Sequence, residues 1–142
     1  MRSFSGGGQK ELVKQPKAYG FDTGFVSFAR SWDALRPDDC GSLWEHLTLE
    51  HLQAHLPDTP VRYWRDKAGN EIDFIIPRTR DTVDVIECKW NPAAFDASAL
   101  NVFRSYYPKG RNHLVTSVEG PAYAKRFGKL EVTICEPDGI EV

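Results

Sequence analysis

Long apolar runs, paired cysteines and an excess of positive charge are all missing from this sequence, and each absence removes a class of protein. The hydrophobic stretches fall well short of the ~20 residues that cross a bilayer, and nothing in the sequence has the form of a signal peptide. No membrane role is expected. Cysteine is scarce: Cys40, Cys88 and Cys135 are widely spaced, odd in number and form no CxxC pair. That excludes a disulfide framework and a cysteine-built zinc site, and makes a reducing, cytoplasmic setting the expectation. The Gly6-Gly7-Gly8 run is not followed by Gly-Lys-Ser/Thr, so the chain has no evident phosphate loop of its own. Net charge is −2, so the whole molecule does not attract nucleic acid. Any such role has to rest on local basic patches or on a partner outside the chain.

What is present fits one compact domain. The 142 residues, 41% hydrophobic and 27% charged, suffice for one hydrophobic core and leave little room for a second. Residues 1–17 carry the glycine run and Pro16 without apolar periodicity, and are expected to form a flexible leader before a single domain over 18–142. A short strand or turn is expected over Ala18–Phe28. A helix follows from about Leu43 to Leu56, where Glu45, Leu49, Leu52 and Leu56 share one face and His46, Glu50 and Gln53 lie on a polar one. Three strands come next, Val61–Arg65, Asn70–Ile76 and Thr82–Trp90, then a helix over Phe95–Tyr106 and a strand over His113–Val118. Pro121–Phe127 reads as a short helix and Leu130–Cys135 as a last strand. The order implies an α/β (α+β) fold, a central mixed sheet flanked by helices.

The second and third strands carry acids where burial is expensive. Alternation places Glu71, Asp73 and Ile75 on one face and Ile72, Phe74 and Ile76 on the other; Val83, Val85, Glu87 and Lys89 likewise share a face. If Pro77–Val83 closes the hairpin, Asp73 opposes Glu87 and Glu71 opposes Lys89. Two facing carboxylates repel and call for a cation. Magnesium or manganese held by Asp73 and Glu87, with the Cys88 carbonyl as a further oxygen, answers that need. Lys89 then binds phosphate or assists an attacking water. Such a set suits phosphodiester hydrolysis, in which a Lewis acid and a mobile positive charge offset developing oxyanions.

These residues also resemble a known family. Asp73 followed by Glu87-Cys88-Lys89 is similar to the D…(D/E)xK core of the PD-(D/E)xK phosphodiesterases, although Ile72 stands where their proline would be. The resemblance implies a restriction-endonuclease-like core of helix, three strands, helix and strand, a Mg²⁺- or Mn²⁺-dependent nuclease, and Glu45 as a site residue and metal ligand on the first core helix. The stretches KAYGFDTGF, GSLWEHLTLEHL, YWRDKAGNEIDFII and VIECKW, spread over about residues 17–118, further resemble the uncharacterised C-terminal domain of a family of prokaryotic AAA+ ATPases. That resemblance implies an ATPase as partner or as a missing module.

Blander readings stand beside these. Ser42-Leu43-Trp44-Glu45 is an S-x-x-E capping box, so Glu45 is equally explained as a helix start. Glu71 and Lys89 make an ordinary cross-strand ion pair. Arg62, Arg65 and Lys67 near the first turn, and Lys109 and Arg111 further on, fit phosphate contacts or solvated surface. Trp64, Tyr106 and Tyr107 fit base stacking or core. His51 and His55 have zinc-ligand spacing without a surrounding HExxH motif. The expected function is a nuclease acting on DNA, with RNA as an alternative substrate. The rivals are a non-catalytic nucleic-acid- or protein-binding module accompanying an AAA+ ATPase, and a homodimerisation domain with a relict site.

Overall fold

A computed structural model of the chain describes residues 1–6, 16–20 and 22–140. Its elements are α1 (Thr23–Ala29), α2 (Pro37–His55), β1 (Arg62–Arg65), β2 (Glu71–Pro77), β3 (Val83–Lys89), α3 (Ser98–Tyr106), β4 (Asn112–Thr116), β5 (Tyr123–Phe127) and β6 (Leu130–Cys135). Single 3₁₀ turns at Pro92–Ala94 and Pro137–Gly139 complete the set. The strands form one sheet in the order β1-β2-β3-β4-β6-β5. β1, β2 and β3 are antiparallel neighbours, β3-β4 and β4-β6 run parallel, and β5-β6 is an antiparallel hairpin. The expected mixed sheet is what forms.

The two main helices cover opposite faces. Leu49 and Leu52 of α2 pack on Phe74, Ile76, Ile86, Cys88, Val115 and Cys135. Leu100 and Phe103 of α3 pack on Trp64, Ile75, Val83, Val85, Leu114 and Ile134. Because both sides of β2, β3 and β4 are covered, their residues are apolar on both faces, as buried central strands require. Arg104 of α3 pins the far end of the sheet. Its guanidinium donates to the carbonyls of Val83, Tyr107, Lys109 and Arg111 and to Asn112 Oδ1, at 2.7–3.0 Å. Burial among neutral carbonyls lowers its pKa to about 10.

Four expectations are corrected. First, α2 begins at Pro37, six residues earlier than expected, with Pro at the position that needs no N–H donor and the Asp39 carboxylate accepting from the Arg36 amide at 3.1 Å. Ser42 is therefore inside the helix, and Glu45 caps nothing. Second, His46 is buried rather than on a polar face, its ring edge-on to Tyr19 at 5.0 Å. Third, the stretch expected as a strand or turn ends in a helix, α1, which starts only at Thr23 and is capped by the Asp22 carboxylate, which accepts from the Phe25 amide at 2.8 Å. Fourth, the segment after Pro121 is a strand. Tyr123–Phe127 folds back along β6 through Gly128, whose φ of 63° suits a two-residue hairpin turn. The expected leader divides: residues 7–15 lie outside the described residues, while the Phe4 amide donates to the Tyr63 carbonyl at 2.6 Å and the Met1 ammonium to the Lys17 carbonyl at 2.6 Å.

Candidate functional site: an acidic cleft at the ends of β2 and β3

The β2–β3 register is the expected one. Phe74 pairs with Ile86 and Pro77 with Val83, so the residue numbers of opposed partners keep the sum on which Asp73 meets Glu87. The alternation of β2 is nevertheless broken. Arg62 pairs with Ile75 and Trp64 with Ile72, so two steps on β1 face three on β2. Ile72 and Ile75 consequently pack in the same cluster under α3, and Phe74 and Ile76 under α2. Strict alternation, which had grouped Ile72 with Phe74, fails at this bulge. Bulges of this kind re-aim side chains and recur beside active sites; here the irregular stretch contains Asp73.

Asp73 is turned toward β3. Its Oδ2 accepts the Cys88 amide at 3.0 Å, and its charge acts on the neighbouring Glu87 carboxyl. Lys89 Nζ lies 3.5 Å from Asp73 Oδ2, 3.3 Å from Glu87 Oε2 and 3.1 Å from the Cys88 carbonyl. One cation thus sits among three oxygens, two of them from acids. Burial pushes the Glu87 carboxyl well above the usual carboxylate range and the Asp73 charge pushes it further, while Lys89 pulls the other way. Burial alone would lower Lys89, but the Asp73 and Glu87 carboxylates outweigh it and hold the ammonium above its ordinary value. The Cys88 thiol, buried beside Asp73, is raised and stays protonated.

Glu45 reaches the same place from α2. It lines, with Asp73, Cys88, Lys89 and Trp90, an opening of about 520 Å³. Its Oε1 accepts from the Tyr19 hydroxyl and, at 3.3 Å, from Lys17 Nζ. Lys17 is also paired with Glu71. Burial opposes the Lys17 charge, yet Glu71, Glu45 and Asp73 raise it overall. Burial and Glu45 together keep the Tyr19 phenol protonated far above its usual range. Lys17 and Tyr19 are the site residues that sequence reasoning missed. Lys17 falls in the expected leader and Tyr19 in the strand or turn expected over Ala18–Phe28, and only a contact 26 to 28 residues away in sequence reveals them.

The remaining candidates separate from the cleft. Glu71 does not pair with Lys89; it takes Lys17 and Arg65, the latter with Nε at 2.6 Å. Arg65 is thereby engaged, Lys67 is exposed in the turn after β1, and Arg62 is half-buried at its start. Trp64 is fully buried and serves the core. Arg111 binds Asp84. His51 and His55 stack at 4.1 Å, with His51 beside Asp138 at 3.4 Å. Among the described residues no group of three His, Cys, Asp or Glu side chains is arranged as a metal cage, and no helix is long and apolar enough to cross a membrane.

The donor set around Lys89 consists of carboxylate and carbonyl oxygens, which fits a hard divalent cation and not a soft one. The ammonium holds the position where those oxygens converge. A metal there has to displace it.

Comparison with known proteins is narrow. Among curated proteins nothing matches the chain. One solved structure, a half-complex from a tetradecameric assembly of McrB AAA+ hexamers with bound McrC from Thermococcus gammatolerans, is similar at 16% identity with a TM-score of 0.44. The likeness covers 66% of this chain and 27% of that one. A family model described as a domain of unknown function, DUF4143, matches residues 40–129, which include α2 from its fourth residue on, β1 to β3, α3, β4 and β5. The match spans more than half of the chain and contains Glu45, Asp73, Glu87 and Lys89, and the chain belongs to the DUF4143 family.

Proposed function

We propose that the chain is a metal-dependent phosphodiesterase acting on nucleic acid, DNA in the first instance, with its chemistry centred on Asp73, Glu87 and Lys89. The observation that carries this reading is the convergence of Asp73 Oδ2, Glu87 Oε2 and the Cys88 carbonyl on one cation position, within 3.1–3.5 Å of Lys89 Nζ. Asp73, Glu87 and the Cys88 carbonyl would hold Mg²⁺ or Mn²⁺, with Glu45 lining the same opening as Asp73 and Lys89 while Glu87 is buried behind it. When bound, the ion supplies Lewis acidity to a phosphoryl oxygen and a lowered pKa to water.

The chain's own residues account for the rest. Lys89, released from the two acids, presents a compact positive charge to a phosphate oxygen. Asp73 is kept in place by the Cys88 amide. Lys17 and Tyr19 orient Glu45 and leave one of its oxygens, Oε2, for the cleft.

Incubation of the purified chain with plasmid, single-stranded and branched DNA and with RNA, in Mg²⁺ or Mn²⁺, tests the reading. Cleavage that disappears in Asp73→Asn and in Lys89→Met supports it. Absence of cleavage on every substrate, or cleavage indifferent to both substitutions, removes it.

A second reading has its own support. Lys89 already bridges both acids, and net charge is −2, as suits a non-catalytic module that binds nucleic acid or protein beside an AAA+ ATPase. Calorimetry separates the two: the module reading expects no uptake of Mn²⁺ that Glu87→Gln abolishes.

A further inference from the structure

The cleft that contains Glu45, Asp73 and Lys89 has one aromatic wall. Trp90 directly follows Lys89, lines the same opening and is 45% exposed. A tryptophan left this open beside acids is unusual for packing, since its area would be better buried. It is also held in place. The Trp90 carbonyl accepts the Ser117 hydroxyl at 2.7 Å. Its ring meets Trp44 edge-to-face, with centroids 5.5 Å apart at 79°. Trp44 is itself anchored by its indole N–H, which donates to the Val115 carbonyl at 3.1 Å. The Trp90 ring is therefore braced by Trp44 while the residue stays 45% exposed and lines the cleft.

The opening, about 520 Å³, is in the range of sites that take a nucleotide-sized ligand, roughly 300–1,000 Å³. Its lining divides by chemistry. Asp38, Glu45, Asp73 and Lys89 supply charge, and Pro37, Trp90 and Ala94 supply an apolar side. Three of the four charged groups are acids, so a polyanion gains little there from electrostatics alone. Affinity has to come from somewhere else in the cleft, and the open indole is the group able to supply it.

We propose that Trp90 is a stacking platform for an unpaired base, which makes the substrate class single-stranded or locally unpaired nucleic acid rather than continuous duplex. The proposal rests on the phosphodiesterase reading above, because it takes the ligand of the acid–lysine cleft to be a nucleic acid. The physical reason is simple. Inside a duplex both faces of every base are covered by neighbours, so an indole can take only a base that is already free or has been turned out. Stacking tolerates any base, since each has a π face, and a strand that stacks on Trp90 brings the adjoining phosphate toward Lys89, one residue away.

The experiment uses the full chain with Ca²⁺ in place of Mg²⁺, titrated with an oligothymidylate and with a blunt duplex of equal length, reading tryptophan fluorescence. The oligothymidylate is expected to quench the emission and the duplex to quench it much less. Trp90→Ala should weaken oligothymidylate binding about 5- to 100-fold and remove most of the quenching. Trp90→Phe, which keeps a stacking face, should stay close to wild type in affinity, and thermal melts of both variants report that the fold is retained. Equal affinity of wild type and Trp90→Ala for the oligothymidylate overturns the proposal, as does preference of the wild type for duplex or quenching by neither. Cleavage assays in Mn²⁺ keep the two readings apart. Trp90-dependent binding without cleavage of any substrate contradicts the phosphodiesterase reading and leaves the platform standing. Cleavage that Trp90→Ala leaves with an unchanged single-strand-to-duplex ratio contradicts the platform alone.

Discussion

The backbone amide of Cys88 donates to Asp73 Oδ2 at 3.0 Å, so the first acid of the cleft is gripped by the strand that carries the other two polar groups. The side chain takes a donor from the neighbouring strand's main chain just beyond the last ladder pair, Phe74 with Ile86. That grip explains how Asp73 tolerates a position against Glu87. One of its oxygens is satisfied by an amide and by the Lys89 ammonium at 3.5 Å, and the unfavourable charge falls on Glu87, whose carboxyl burial and Asp73 together drive upward.

This arrangement predicts opposite shifts from two substitutions. Asp73→Asn removes the neighbouring charge and should bring the Glu87 carboxyl down, though burial keeps it above an ordinary glutamate. Lys89→Met removes the ammonium in contact with Glu87 and should send it higher. Carboxyl ¹³C chemical shifts followed through a pH titration read both directions. Shifts of the same sign in the two variants would contradict this account of the site's electrostatics.

Lys17 joins a segment outside the expected domain to two acids, Glu45 and Glu71. Lys17→Met leaves Glu45 with Tyr19 and Glu71 with Arg65, so neither acid is abandoned. The expected loss is about 1–2 kcal/mol, a fall of roughly 3–8 °C in Tm. Any cleavage activity should fall with it, because Glu45 loses one of its two orienting contacts. A variant as stable as wild type would show that the strap contributes nothing to the fold.

Asp84 gives the fold an acid limit away from the cleft. Its carboxylate is buried, accepts the Arg111 amide at 2.8 Å and pairs with Arg78 at 2.8 Å. Burial opposes ionisation, but these donors outweigh it and lower the pKa below the ordinary value of 3.8. A lowered folded-state pKa means the ionised form stabilises the fold above the unfolded value, and that this stability drains away as pH falls through the folded one. Asp84→Asn should therefore melt below wild type at pH 6 and approach it as pH drops from about 4 toward 2. A gap that stays constant over that interval would contradict the assignment.

Much of this was legible in the sequence, for definable reasons. β2 and β3 carry continuous apolar residues interrupted by acids, and their pairing register followed from the loop that joins them. Other features lay outside local pattern. The bulge in β2 depends on how β1 pairs with it, so alternation placed Ile72 on the wrong face. The start of α2 was set by Pro37 and by Asp39 reaching back to Arg36, signals overshadowed by the Ser42–Glu45 pattern further on. Residues 123–127 are too short and too exposed to betray a strand; their conformation comes from pairing with β6. Lys17 and Tyr19 reach Glu45 only once α2 and the segment before α1 are brought together, and no spacing in the sequence encodes that.

Asp73, Glu87 and the Cys88 carbonyl are proposed to form a divalent-cation position that Lys89 holds in the ion's absence. A crystal of the chain soaked in Mn²⁺, with anomalous scattering collected near the manganese edge, tests it most directly. The predicted result is an anomalous peak between the Asp73 and Glu87 carboxylates, with Lys89 Nζ displaced from its 3.5 and 3.3 Å contacts. No peak at saturating Mn²⁺, with Lys89 still bridging the two acids, would contradict it.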